Sequence, residues 1–195
     1  MSETIDWSIT MPPLFDLWKW YVFFLSDRIL IFLLFLARSD GPVVVWFGHE
    51  PSTLKMKLIR YLVGQDVVLI LFSTEDYLRQ WLDSNRSLTI ASLILQPSIN
   101  SQQLIAHAHS HVNIRSILVR STTAELINLV RFSRAYPKVD GIYDDDERLL
   151  SKLMIDLIFL SEELGDHFRE DEHNEIAAQK NYDRVLNLCA LAKTI

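Results

Sequence analysis

Between Pro42 and Tyr143 five short apolar runs alternate with stretches of helical pattern, and this rhythm constrains the fold more than anything else in the chain. The runs are Val43–Phe47, Val67–Phe72, Ile90–Leu95, Ile114–Val119 and Val139–Tyr143. They are rich in Val, Ile and Leu with little alternation, as expected of strands covered on both faces in a parallel sheet. The stretches between them carry helix signals. Pro51-Ser52-Thr53 opens a helix through Val63, with Leu54, Leu58, Ile59 and Leu62 on one side and Gly64 at its end. Ser73-Thr74-Glu75-Asp76 opens a second, and Gln96-Pro97-Ser98 leads into a third over about residues 99–111. Ser121-Thr122 leads into a fourth, with Leu126, Leu129, Val130 and Ser133 turned inward, and Asp144 to Glu147 open a fifth. The pattern predicts a three-layer, doubly wound α/β domain over residues 41–150. Its five-stranded parallel sheet takes the order 2-1-3-4-5 if the crossovers are right-handed.

The chain has 195 residues, enough for one such domain with appendages at both ends. Residues 151–195 read as a helical extension. Leu149, Leu150, Leu153, Met154, Leu157, Ile158 and Leu160 form a stripe broader than a lone solvated helix carries, and Gly165 reads as the break after it. Asp166 to Glu175 then form an acidic connector, and Ala177, Ala178, Tyr182, Val185, Leu186, Cys189 and Leu191 mark a second amphipathic helix. A net charge of −6 without a cluster of Lys and Arg argues against nucleic acid as a partner. Lys55, Lys57 and Arg60 read as the solvated face of one helix. The single cysteine, Cys189, excludes an intrachain disulfide and fits the reducing cytoplasm.

Residues 1–40 stand apart. Within 14–37, Leu14 to Leu25 and Ile29 to Ala37 are apolar and aromatic runs separated by Ser26-Asp27-Arg28. Neither run reaches the roughly 20 residues of a spanning helix. Over Tyr21 to Ala37, two central charges at about +3 kcal/mol each offset the apolar residues at about −0.5 kcal/mol each, so the insertion sum is near zero. Glu3 and Asp6 precede the run, and neither a basic leader nor a small-residue cleavage site follows, so a secretory signal is not expected. Three readings stay open: an apolar helix packed on the domain or a partner, an anchor lying on or weakly spanning a membrane, and a segment without a fixed fold. Trp18, Trp20, Tyr21, Phe24, Ile29, Phe32 and Phe35 are the contact residues under the first two.

In open α/β sheets ligands sit beyond the carboxyl ends of the strands. The polar residues expected there are His49, Glu50, Ser73, Gln96, Ser98, Ser121 and Asp144. The strand–helix order resembles a phosphoacceptor receiver domain, the flavodoxin-like fold that needs an acidic pair after strand one, an Asp after strand three and a Lys after strand five. Here Glu50 is a lone acid, Gln96 stands at the acceptor position and Asp144 at that of the Lys. An amide in place of the carboxylate removes both nucleophile and metal ligand. Gly48-His49-Glu50-Pro51-Ser52 is neither a P-loop nor a dinucleotide fingerprint. The topology also resembles the TIR fold, which cleaves NAD with a helix-borne Glu, although that motif has no counterpart here. His49 and Glu50 form a candidate acid–base pair without a nucleophile. Of His107, His109 and His111, only the first and last share a helix face. No Asp, Glu or Cys stands nearby in sequence to complete a metal site, so neither metal nor cofactor is expected.

Gln103 to His107, Val112 to Val119 and Pro137 to Tyr143 together resemble an α/β module abundant in rotifers and related invertebrates. In that family a helix ending near "IHQL" precedes an "SIYV" strand, a "KVKGVF" strand follows, and the first strand reads "LVWLD", as Val43 to Phe47 does in part. The module precedes ADP-ribosyltransferase domains or tetratricopeptide arrays, and the resemblance covers about residues 42–153. Two departures are Leu95-Gln96-Pro97 for "VSG", and Gly48 for the acid that ends the first strand. Ala177 to Leu186 is similar to one helix of a tetratricopeptide repeat.

The expectation that follows is a non-catalytic regulatory or interaction module with a degenerate receiver-like fold. It would engage a protein partner or a second copy, and the stripe 149–160 reads as surplus apolar surface for that purpose. The alternatives are a nucleotide- or NAD-directed hydrolase with its site at the strand ends, and a membrane-associated accessory subunit held by residues 14–37.

Overall fold

The computed structural model describes residues 23–25, 29–31, 41–48, 52–96 and 101–195. At its centre five parallel strands, β3 (Val43–Phe47), β4 (Val68–Phe72), β5 (Ile90–Leu95), β6 (Ile114–Arg120) and β7 (Val139–Tyr143), hydrogen-bond in the order β4-β3-β5-β6-β7. Counted within the sheet this is 2-1-3-4-5, the flavodoxin-like order the alternation predicts. Val45 pairs with Ile70 on one side and Leu93 on the other, and Leu93 with Ile117. The three inner strands are almost wholly buried, which explains their unbroken apolar sequence. β7, at one edge, is only half-buried and tolerates Asp140 and Gly141.

Side-chain alternation splits the core in two. Val43, Val45, Phe47, Ile70, Leu93 and Val119 face α2 (Glu75–Ser84), α3 (Ser101–Ser110) and α4 (Thr123–Ser133), meeting Leu78, Leu82, Leu104, Ile105 and Leu129. Val44, Trp46, Ile94 and Leu118 face α1 (Thr53–Leu62) and α5 (Asp146–Glu170), with Leu188 of α6 (Glu175–Ala192) behind. At α1 the expected cap forms: Ser52 Oγ accepts from the Lys55 N–H at 3.2 Å, and Gly64 at φ +84° turns the chain out of the helix.

Three expectations for the helices are corrected. The stripe Leu149 to Leu160 is not surplus: Leu149, Leu150, Leu153, Met154 and Leu157 are 0% exposed, packed on the sheet. Gly165 is not a break, because α5 runs through it to Glu170, and only residues 171–174 separate it from α6. The glycine is needed for contact: a Cβ there would lie 2.6 Å from the Tyr182 ring of α6. Val130, taken as inward, is 41% exposed, and Leu129 alone of its helix is buried.

Two serines inside the sheet are paired. Ser92 and Ser116, neighbours in β5 and β6, hold their hydroxyls 3.0 Å apart under α5, and Ser116 donates to Asp156 Oδ2 at 2.9 Å. Lys152 donates to Asp156 Oδ1 at 2.6 Å and also to Asp140, so a buried seam is satisfied and tied to a surface charge.

In the amino-terminal segment the described residues are strands, not the expected helix. β1 (Phe23–Leu25) pairs antiparallel with β2 (Ile29–Ile31), Phe24 opposite Leu30. Aromatic and branched residues favour extended chain, and only Ser26, Asp27 and Arg28 separate the two runs. Of the contact residues predicted there, Phe24 and Ile29 fall in these strands; Trp18, Trp20, Tyr21, Phe32 and Phe35 lie outside the described residues. Among the described residues no helix is long and apolar enough to cross a membrane.

Candidate functional site

At the carboxyl ends of β3, β5, β6 and β7 lies a cleft of about 430 Å³, lined by residues including Ser52, Thr53, Gln96, Arg120, Ser121 and Asp144. Right-handed crossovers bring the first turns of α1, α4 and α5 to it, each with its positive dipole end. Such a place attracts anions, but the chain supplies its own. Asp146, the first residue of α5, accepts from Arg120 Nε at 2.7 Å and from Thr53 Oγ1 at 3.2 Å, with Lys57 Nζ 3.6 Å away. Burial pushes the Asp146 carboxyl up, but the Arg120 hydrogen bond and charge, then Thr53 and Lys57, outweigh it and hold the group below the usual carboxylate range. Arg120 also donates to the Ser121 carbonyl at 2.5 Å and the Tyr143 carbonyl at 3.4 Å. The Arg120 guanidinium is therefore occupied, and both Asp146 oxygens have partners, Oδ1 in Arg120 and Oδ2 in Thr53.

The end of the first strand is filled too. Gly48 donates to the Phe72 carbonyl at 3.1 Å, and Gln96 to the Phe47 carbonyl at 2.8 Å. A Cβ at position 48 would lie 2.6 Å from both Gln96 Oε1 and Trp46 Cζ2. Any side chain there forces Gln96 and Trp46 to shift, so an acid at this position would be crowded.

Of the sequence-predicted residues, the cleft gathers Gln96, Ser121 and Asp144. Ser73 is exposed after β4 and does not line it. His49, Glu50 and Ser98 lie outside the described residues. Sequence reasoning passed over Arg120 and Asp146, the charged pair of the cleft, although both carry a legible signal: one ends β6 and the other begins α5, after the neighbouring strand β7. Ser121 is 1% exposed, and among the described residues its Oγ has no hydrogen-bond partner. Gln96 Oε1 is likewise buried and without a hydrogen-bond partner among the described residues. Compared with protein-family models and with curated proteins, the chain matches none.

Proposed function

We propose that this chain is a non-catalytic regulatory or protein-interaction module built on a degenerate receiver-like fold. The observation that carries the reading is the filled strand-end site. Gln96 and Trp46 take the space of an acid at position 48, and Arg120 and Asp146 neutralise one another where a phosphoryl group would sit. Contact with a protein partner or a second copy is supported by the apolar residues of 14–37. On α5, Ile155 and Phe159, one turn apart, are also 45% and 65% exposed. The resemblance of residues 42–153 to a module that stands ahead of other domains favours the same role, and the lone cysteine favours the cytoplasm. Lipid contact through residues 14–37 is the variant of this reading in which the partner is a membrane.

A second reading draws on the buried, unpartnered Ser121 Oγ and Gln96 Oε1, which a small polar ligand would satisfy; it makes the cleft the site of a nucleotide- or NAD-directed hydrolase. One experiment separates the two. The full chain is incubated with nucleotides, NAD, and acetyl phosphate with Mg²⁺, following products and melting temperature, while light scattering follows mass against concentration for wild type and Phe159→Glu. The interaction reading expects neither turnover nor a thermal shift, and a self-association that the variant weakens. Turnover abolished by Ser121→Ala in a chain that remains folded overturns it.

A further inference from the structure

We propose that Asp83, His107 and His111 form a binding site for a divalent first-row transition metal, zinc being the best match. His107 lies in the last turn of α3 and His111 just beyond its end, one turn on, so both rings project to one side with their Nε2 atoms 3.3 Å apart. The neighbouring helix α2 places Asp83 in its own last turn, against that pair. Asp83 Oδ1 lies 3.5 Å from His111 Nε2, and Oδ2 lies 3.8 Å from His107 Nε2. One ligand atom from each residue falls within 4.8 Å of the others.

The 3.3 Å between the histidine nitrogens suits two ligands on one metal ion as well as it suits a hydrogen bond. Zinc bonds of about 2.0–2.1 Å at tetrahedral angles place neighbouring ligand atoms about 3.4 Å apart. The histidine nitrogens already stand at that distance, and rotation of the exposed Asp83 carboxylate suffices to bring in the third ligand without backbone movement. His111 is 5% exposed, so its ring is held in place against His107. Asp83 is half exposed, which leaves the fourth position to water. The cations nearby are Arg86, whose exposed guanidinium donates to Asp83 Oδ1 at 3.1 Å, and Lys138, which donates to the His111 carbonyl. They weaken the attraction for a cation but occupy neither ring nitrogen. Two imidazoles and one carboxylate suit zinc, cobalt, nickel and copper, whereas magnesium and calcium prefer all-oxygen sites. His109 takes no part: its ring packs edge-on to Tyr136 on another side of the helix. A bound ion would staple α2 to α3 and raise the stability of this face of the sheet.

The test is calorimetric titration of the chelator-stripped full chain with Zn²⁺ alone, with Co²⁺ as a spectroscopic probe. The expected result is one equivalent bound, visible Co²⁺ bands of four-coordinate N/O type, and a raised melting temperature. His107→Ala and Asp83→Asn should each weaken binding by about tenfold or more. Both positions are partly exposed, so these variants should fold even if His111→Ala does not. Failure to bind zinc overturns the proposal, as does displacement of zinc by millimolar Mg²⁺ or Ca²⁺. Equal binding by wild type and the His107→Ala/Asp83→Asn double variant also overturns it, placing the ion elsewhere, for example at His167 with Asp171 and Glu172.

Discussion

Replacing Asp146 by asparagine keeps the shape of the first residue of α5 and removes the charge that Arg120, Thr53 and Lys57 converge on. The side chains of Arg120 and Asp146 are 28% and 13% exposed, so the pair is shielded from water but not sealed. A hydrogen bond to a charged group at such a site contributes about 1.5–3 kcal/mol. Arg120 keeps the carbonyls of Ser121 and Tyr143, which argues for the lower half of that range. The expected loss at pH 7 is therefore about 1.5–2 kcal/mol, or roughly 3–8 °C in Tm for a chain of this size. The pH dependence adds a sign. The Asp146 carboxyl is held below its unfolded value of about 3.9, so its contribution is present above that pH and is lost as pH falls through the folded value. Urea unfolding of wild type and Asp146→Asn at pH 7, 5 and 3 should show the full gap at the first two and a shrinking gap at the third. A gap below about 0.5 kcal/mol at pH 7, the level of an exposed ion pair, or one that widens in acid, refutes the role given to this residue.

The serine seam under α5 predicts that Asp156→Ala costs about 1–3 kcal/mol, because the hydroxyl pair of Ser92 and Ser116 loses its carboxylate acceptor and Lys152 loses a partner. Ser92→Ala/Ser116→Ala/Asp156→Leu should recover much of that loss in the same denaturation assay, since an apolar seam leaves nothing unpaired. Gly48→Ala should destabilise by about 1–3 kcal/mol through overlap with Gln96 and Trp46, with partial recovery in Gly48→Ala/Gln96→Ala. At the crossing of α5 and α6, Gly165→Ala should destabilise by a similar amount, and Tyr182→Ala in the same chain should make that substitution nearly silent.

The sheet was legible because Val43–Phe47, Ile90–Leu95 and Ile114–Val119 are buried on both faces, and a strand so placed has to be apolar almost throughout. The cap at Ser52 was legible for a local reason too, since it satisfies an N–H group within its own next turn, whereas the run Asp144 to Glu147 marked the start of α5 without singling out Asp145 as its cap. What composition and periodicity missed depends on contacts between distant segments. Gly165 reads as a helix stop until Tyr182 is seen against it, and the stripe of α5 reads as surplus until the sheet is seen beneath. Position 48 shows the same gap in part: the glycine and Trp46 two residues before it are visible in sequence, but the Gln96 side chain that also crowds it comes from the end of β5. The histidine pair on α3 was visible at its four-residue spacing, whereas Asp83 joins it only through the packing of α2 on α3.

The most direct measurement of the central claim, that the strand ends hold no reaction site, is a titration followed by the backbone amide resonances of Gly48, Gln96, Ser121 and Thr123 in the full chain. The additions are ATP, NAD, and acetyl phosphate with Mg²⁺, each to millimolar concentration. A cleft neutralised by Arg120 and Asp146, with Gln96 crowding the end of β3, predicts unchanged resonances throughout. Saturable shifts concentrated on these four amides would contradict it and make the cleft a ligand site.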